Sequence, residues 1–222
     1  EHDINVVQGW GMTETSPLAT ANIKTKAMEK MSKDEMYKLQ TKQGKPIYGV
    51  ELKIIDDDGK TLPEDGKAYG KLMIRGPWIN KRYYKHDSDA VDADGWFDTG
   101  DISSINPEGY MTIVDRAKDV IKSGGEWISS VDLENAAQGH PDVVQACVIG
   151  VAHPKWDERP VLLVVPANEK KDKESIYAFL EDKIAKWWKP DDIVFVEELP
   201  IGATGKVLKI ELREQFKDHL MN

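Results

Sequence analysis

Gln8-Gly9-Trp10-Gly11-Met12-Thr13-Glu14-Thr15 gathers two glycines, an aromatic ring, hydroxyl side chains and a carboxylate into one short run. Glycine lets a backbone approach a ligand closely and adopt otherwise strained angles. Trp10 offers a flat face on which a base can stack, and Glu14 is a hard oxygen ligand of the kind Mg²⁺ prefers. A loop of this composition belongs in the middle of a nucleotide site. Only seven residues precede it, so most walls of such a site are expected to be missing or to come from elsewhere.

The rest of the chain is ordinary for a folded protein. Its 222 residues are enough for one or two domains with real cores. A hydrophobic content of 40% and a charged content of 31% fit a soluble globular protein and exclude a disordered one. The net charge of −9 argues against a nucleic-acid binder, which would carry a basic stripe. It leaves room for ATP, because local lysines can serve a phosphate inside an acidic protein. Cys147 is the only cysteine. It lies in an apolar stretch that reads as buried strand, so an inert thiol and a reducing, cytoplasmic setting are expected. No apolar run reaches transmembrane length and no secretory signal is legible. The five histidines are scattered without metal-ligand spacing.

The pattern along the chain changes once. Up to about residue 116 it is strand and turn: a strand leading into the glycine loop over Ile4 to Val7, a short helix near Asp34–Leu39, then strands over 49–55, 69–75 and 110–114. The turns Asp56-Asp57-Asp58-Gly59, Asp92-Ala93-Asp94-Gly95 and Asn106-Pro107-Glu108-Gly109 separate them. Pro77 is expected to open a short helix bearing Trp78, Tyr83 and Tyr84. A small barrel or meander follows. From about residue 118 strands alternate with helices: strands at 120–122, 143–151, 161–165 and 193–196, and a helix capped by Ser129 or Ser130 that runs to about Ala137. Asp157, Glu158 and Arg159 read as a charged loop. Ile176, Phe179, Leu180, Ile184, Trp187 and Trp188 fall at helical spacing, and Leu208, Leu212, Phe216 and Leu220 recur every four residues on a last helix. Strands and helices in this alternation make a compact α+β or α/β domain.

Four segments in this order resemble the adenylate-forming, AMP-binding superfamily of acyl-CoA synthetases, peptide-synthetase adenylation domains and luciferases. They are Gly9 to Glu14; Trp96-Phe97-Asp98-Thr99-Gly100-Asp101; Asp115-Arg116-Ala117-Lys118-Asp119 through Gly124-Gly125-Glu126-Trp127-Ile128-Ser129; and Leu199-Pro200 through Gly205-Lys206. Within the superfamily, the 123–134 stretch and His153-Pro154-Lys155-Trp156-Asp157-Glu158-Arg159-Pro160 look most like medium- and long-chain fatty-acid–CoA ligases. The resemblance implies an α+β fold: residues 1–116 as the β-rich, barrel-like end of a large N-terminal domain, residues 117–222 as a small, mobile α/β C-terminal lid domain, and a hinge at about 115–118.

It also implies a site. Gly9, Trp10, Gly11, Met12 and Thr13 match the nucleotide loop, with Thr13 and Glu14 at the phosphate and Mg²⁺ positions. Asp101 matches the aspartate that takes the ribose hydroxyls, and Arg116 the arginine that reaches the ribose and phosphates. Lys118 falls at the hinge; Lys122 and Trp127 fall at nucleotide-contacting positions. Gly124, Gly125 and Glu126 would border the channel for coenzyme A. Lys206 matches the lysine that bridges the acid and the α-phosphate during adenylation. Each has a plainer reading: a core tryptophan, a turn aspartate, a surface ion pair, a solvated lysine. Gly202-Ala203-Thr204-Gly205-Lys206 is no Walker loop, because its glycine spacing is too short and Val207 follows where Ser or Thr is needed.

The implied activity is joining ATP and a fatty acid to an acyl-adenylate and passing the acyl group to CoA, with Mg²⁺ as cofactor. No Ser/Thr/Gly-rich loop ending in Lys-Gly, the superfamily's holder of the β- and γ-phosphates, occurs in the 222 residues, so the isolated chain is expected to be inactive. Nucleic-acid partners are not expected. Peripheral membrane association and a homodimer stay open, as do acyl-chain length and the rotational state of the lid. The rival readings are an aryl-CoA ligase, an adenylation domain feeding a carrier protein, and a non-catalytic interaction module that keeps the fold.

Overall fold

The computed structural model describes residues 6–169, 171–203 and 205–221. The chain divides into two compact units, the first ending at Ala117 and the second starting at Lys118. Mixed α/β architecture with several sheets and no closed barrel runs through both.

The first unit opens with β1 (Gly9–Trp10) and β2 (Thr20–Ala21), followed by α1 (Lys33–Gln40) and β3 (Lys45–Pro46); the three short strands form one antiparallel sheet. Ser32 caps α1 by accepting from the Glu35 amide, and the Glu35 carboxylate bonds back to the Ser32 amide, a reciprocal capping box. Next come β4 (Glu51–Ile55), β5 (Gly70–Arg75), β6 (Phe97–Ile105) and β7 (Met111–Arg116), an antiparallel meander in sequential order. It stays open where a barrel was one of the expectations.

One turn device recurs around the meander. The side chains of Asp56, Asp92 and Asn106 each accept from a backbone amide further along, at Lys60, Trp96 and Tyr110, all at 2.8 Å. In each turn a glycine with positive φ (Gly59, Gly95, Gly109) donates back to the carbonyl of the same Asx residue. The short polar side chain mimics a backbone turn and only the glycine tolerates the left-handed angle. Ile54, Leu72, Ile105 and Met111 fill one core beside the meander; Ala19, Val50, Ile74 and Phe97 fill another.

The second unit contains β8 (Ile121–Ser123), β9 (Glu126–Ile128), α2 (Ser130–Gln138), β10 (Val143–His153), β11 (Asp157–Pro166), α3 (Lys173–Leu180), β12 (Asp192–Phe195) and α4 (Lys209–Gln215). β11 lies at the centre, antiparallel to β10 and parallel to β12. Both faces of this sheet are covered, which is why the strands read as almost unbroken apolar runs. Alternate residues go to opposite sides: Ala146, Val148, Leu162 and Val164 face a core shared with α2 and α3. Cys147, Ile149, Val161 and Leu163 face one shared with Leu199 and the Leu212 side of α4. Ser129 caps α2 by accepting from the Asp132 amide.

Several further expectations are corrected. No helix follows Pro77: residues 76–90 are a run of turns whose amides bond to distant carbonyls, as Asn80 N does to Glu14 O and Ala90 N to Lys81 O. The helix through Trp188 stops at Leu180, and Ala185 is extended (φ −62°, ψ 141°). Pro190 keeps Lys189 out of the helical region, and the break lets Ile184 and Trp188 reach the core that α3 already covers. The last helix ends at Gln215, although Phe216 and Leu220 still pack on its core through turns. Asp157, Glu158 and Arg159 lie in β11, because the β10–β11 hairpin keeps its register to His153 opposite Asp157. The strand expected over Ile4 to Val7 lies partly outside the described residues, and Val6 and Val7 are not in a strand. Among the described residues no helix is long and apolar enough to cross a membrane.

Burial pushes the Cys147 thiol up to about 12, and the thiol is 1% exposed. Thiolate is the reactive form. Iodoacetamide at about pH 8 should therefore leave native Cys147 unlabelled and modify it fully in denaturant, read by mass spectrometry. Stoichiometric labelling of the native protein within minutes would contradict this packing.

Candidate functional site

The glycine loop begins in β1 and turns through a single 3₁₀ turn at Thr13–Thr15. Gly11 is required by space: a Cβ there would lie 1.8 Å from the Pro17 carbonyl oxygen. The fully buried Thr15 hydroxyl accepts from the Met12 amide at 2.8 Å and lies 2.7 Å from the Pro17 carbonyl it can donate to. It is the peg that shapes the loop, and sequence reasoning assigned it no role. Thr13 is left exposed and Glu14 half-buried.

Glu14 is braced from the turn region. Its backbone carbonyl accepts from Asn80 N at 2.8 Å, and its carboxylate accepts from the Tyr83 hydroxyl at 2.9 Å. That bond to the carboxylate raises the Tyr83 pKa. Neither Asn80 nor Tyr83 was assigned to the site from sequence. Their signal would have been the turn residues around them, where a short helix opening at Pro77 and bearing Trp78, Tyr83 and Tyr84 is expected instead.

Asp101 sits on β6, 3% exposed, directly across from Arg116 on β7. The Arg116 Nη1 to Asp101 Oδ1 distance is 3.0 Å, and the guanidinium itself is half-exposed. Burial raises the Asp101 pKa; Arg116 and a hydrogen bond from Trp10 pull the other way without cancelling it. Trp10 favours the charged form of Asp101, and its ring packs among the apolar residues of both cores of the unit. The plain reading, a core tryptophan, holds for the ring. Trp10, Asp101 and Arg116 are therefore brought together, although they are far apart in sequence.

The remaining site residues belong to the second unit. Lys118 is its first residue and is exposed. Lys122 and Trp127 stand opposite each other on β8 and β9, with the Lys122 Nζ 5.5 Å from the indole centroid. Gly124 and Gly125 form the hairpin tip, with φ of 57° and 87°. Both central residues are left-handed, the geometry of a tight two-residue hairpin turn that needs glycine. The Gly124 amide donates to the Trp156 carbonyl at 2.8 Å, and a Cβ on Gly124 would lie 2.8 Å from the Trp156 ring. Beside this tip lies a pocket of about 350 Å³ lined by Gly124, Glu126, Trp156, Arg159, Trp187 and Asp191. Arg159 is spent on structure: it donates to Asp191 at 2.6 Å, to the Ser123 hydroxyl, and to the carbonyls of Trp187 and Lys189. The two tryptophans are left half-exposed.

Lys206 lies on a separate exposed loop closed by an Ile201–Val207 bridge and by Gly202 N donating to Lys206 O at 2.8 Å. Thr204 lies outside the described residues. Among the described residues no carboxylate pairs with Lys206, and no three His, Cys, Asp or Glu side chains gather in a metal-holding cluster.

Because burial raises the Asp101 pKa, its charged form costs stability. The native state binds the proton more tightly, so this contribution is favourable below the unfolded pKa and is lost as pH rises through the folded one. Asp101→Asn should therefore leave the melting temperature at pH 7 unchanged or raised. A clear drop in calorimetry would mean that the Arg116 pair outweighs the burial.

The comparisons agree with this geometry. The family model described as AMP-binding enzyme matches residues 1–84, and the model described as AMP-binding enzyme C-terminal domain matches residues 132–206. A 3-methylmercaptopropionyl-CoA ligase of Ruegeria pomeroyi is 54% identical over 99% of this chain and 41% of its own length. A medium-chain-fatty-acid–CoA ligase of Ectopseudomonas oleovorans is 49% identical over 99% of the chain and 40% of its own length. The crystal structure of ATP-bound MatB from Rhodopseudomonas palustris superposes with a TM-score of 0.77 at 30% identity, over 97% of this chain and 41% of that one. The chain thus spans about two fifths of the length of the curated relatives it matches. With family models on both units and relatives near half identity along nearly its whole length, the chain belongs to the adenylate-forming, AMP-binding family of acyl-CoA ligases.

Proposed function

We propose that the protein carrying this sequence activates a fatty acid with ATP to an acyl-adenylate, releasing pyrophosphate, and then transfers the acyl group to coenzyme A, in the cytoplasm. The observation that carries this reading is the convergence of Trp10, Asp101 and Arg116 in one unit. Burial disfavours the charged form of Asp101 despite its half-exposed Arg116 partner, and a carboxylate can accept from both ribose hydroxyls at once. Arg116 then turns toward the ribose and phosphates.

Gly9, Gly11, Met12 and Thr13 supply close backbone approach for the nucleotide, with Thr13 exposed toward ligand. Glu14 would hold Mg²⁺. A single carboxylate suits that ion, which keeps several waters and is bound through one or two carboxylates plus substrate phosphates. Mg²⁺ supplies neutralisation of phosphate charge. Tyr83 orients the Glu14 carboxylate through its hydrogen bond.

Within the second unit, Lys206 carries the charge that meets the developing anion of the adenylation step, a task for a flexible, exposed ammonium. Lys122 and Trp127 contact the nucleotide. Gly124, Gly125 and Glu126 border the path of the CoA thiol, a role supported by the pocket beside them with its two exposed indole rings. The segment at 115–118 is the hinge about which residues 117–222 turn between the two half-reactions; a few residues there absorb the dihedral change. By itself the 222-residue chain forms no thioester, since it contains no loop for the β- and γ-phosphates.

A second acid class has specific support: a relative at 54% identity is named for 3-methylmercaptopropionate, a short thioether acid. A panel of acids assayed on the protein at the length of its relatives separates the two; a preference for octanoate over 3-methylmercaptopropionate favours the fatty-acid reading.

Lys206→Ala should slow acid-dependent ATP–pyrophosphate exchange by about 10²–10³-fold, the usual loss when one donor to a developing oxyanion is removed. Thioester formation from preformed acyl-adenylate should fall much less. Wild-type exchange in the variant would remove Lys206 from the mechanism.

A further inference from the structure

Lys206 is followed three residues later by α4, and that helix is poorly equipped to hold its own position. It has seven residues and no side-chain N-cap at Leu208. Helices this short are marginal without tertiary support. Its support comes from Leu212, 3% exposed against the core of β10 and β11, and from two cations one turn apart. Lys209 Nζ lies 2.7 Å from Glu134 Oε1 and 2.7 Å from the Ser130 hydroxyl on α2; the same Glu134 oxygen accepts from Val148 N of β10. Both Arg213 terminal nitrogens donate to Asp119 Oδ1 at 2.9 Å. All four charged side chains are largely buried, between 13% and 24% exposed. Asp119 is the residue after Lys118, at the very start of the unit.

We propose that Arg213 and Asp119 are positioning residues: their ion pair, with Lys209–Glu134 beside it, fixes the Lys206 loop relative to the hinge segment, so that Lys206 moves as one body with the chain entering the unit. This rests on the adenylation role of Lys206 given above. A partly buried pair is worth little as net stability against an apolar substitute, so its value lies in where it puts α4. Among the described residues the Lys206 loop is tied by three backbone bonds, Gly202–Lys206, Gly205–Gly202 and Leu208–Pro200. Its tip therefore inherits its placement from the helix behind it. A shift of about 1 Å at a reacting group can cost about a hundredfold in rate, and the Arg213–Asp119 pair ties α4 directly to the start of the unit.

The test uses the protein at the length of its relatives, with the two half-reactions measured separately. Arg213→Met should slow acyl-adenylate formation by about ten- to a hundredfold, while thioester formation from preformed adenylate changes far less. Arg213→Lys, which keeps a cation within reach of Asp119, should recover part of the loss. The decisive comparison is the double variant: if Arg213 acts through Lys206, Lys206→Ala/Arg213→Met adenylates no more slowly than Lys206→Ala alone. Multiplied losses in the double variant, or wild-type adenylation in Arg213→Met, would overturn the proposal. Should Arg213→Met fail to fold, the near-isosteric Asp119→Asn carries the same comparison. A silent Lys206→Ala would instead sink the role of Lys206 itself, and is read out independently.

Discussion

A carboxylate kept in the interior of a β-sheet is the constraint around which the first unit is organised. Asp101 is buried in β6, its charged form disfavoured by its surroundings, with Asp98 and Asp115 adding like charge. Stability alone would put an apolar residue there. The strand accommodates it irregularly: Gly100 has φ of 70°, and the β6–β7 register slips between Ile102 and Ser103. Trp10 and Arg116 are held around it from the glycine loop and from the last strand of the unit. Ala117 N, donating to Gly100 O at 2.9 Å, then closes the unit beside the same residue. A local rule broken at a point where three separate segments meet is where function is expected to show.

The second unit follows a different logic. Its central sheet is sealed on both faces by apolar packing, and the groups proposed to act lie at the edges: a two-glycine hairpin tip, two half-exposed tryptophans, a lysine on an exposed loop. Buried sheet and exposed periphery are thus separated within one small body. Charged pairs, Arg213–Asp119 and Arg159–Asp191 among them, tie the periphery back to the sheet.

Much of this was legible in the chain because the determinants are local. The three turns at Asp56, Asp92 and Asn106, a serine cap at 129 or 130 and the apolar strand through Cys147 depend on neighbours a few residues away, and the structure has all of them, with Ser129 as the cap. What escaped was decided by distant partners. Pro77 is placed as if to open a short helix through Tyr84, yet Asn80 is taken by the Glu14 carbonyl and Tyr83 by its carboxylate. The helical spacing from Ile176 to Trp188 reports real burial on one core, reached through a break instead of a continuous helix. In the site, Trp10, Asp101 and Arg116 were found by their motifs, while Thr15, Asn80 and Tyr83 were not, because a peg and two braces carry no signature until the loop they hold is folded.

The account stands or falls on Asp101 as the receiver of the ribose. The direct measurement is calorimetric binding of octanoyl-sulfamoyl adenosine, a stable mimic of the acyl-adenylate, and of its 2′,3′-dideoxy counterpart to the protein at the length of its relatives. Hydrogen bonds to a charged group are worth about 1.5–3 kcal/mol. The dideoxy compound should therefore bind the native protein at least about tenfold more weakly, and Asp101→Ala should bind both compounds alike. Equal affinity of the two compounds for the native protein would contradict the account.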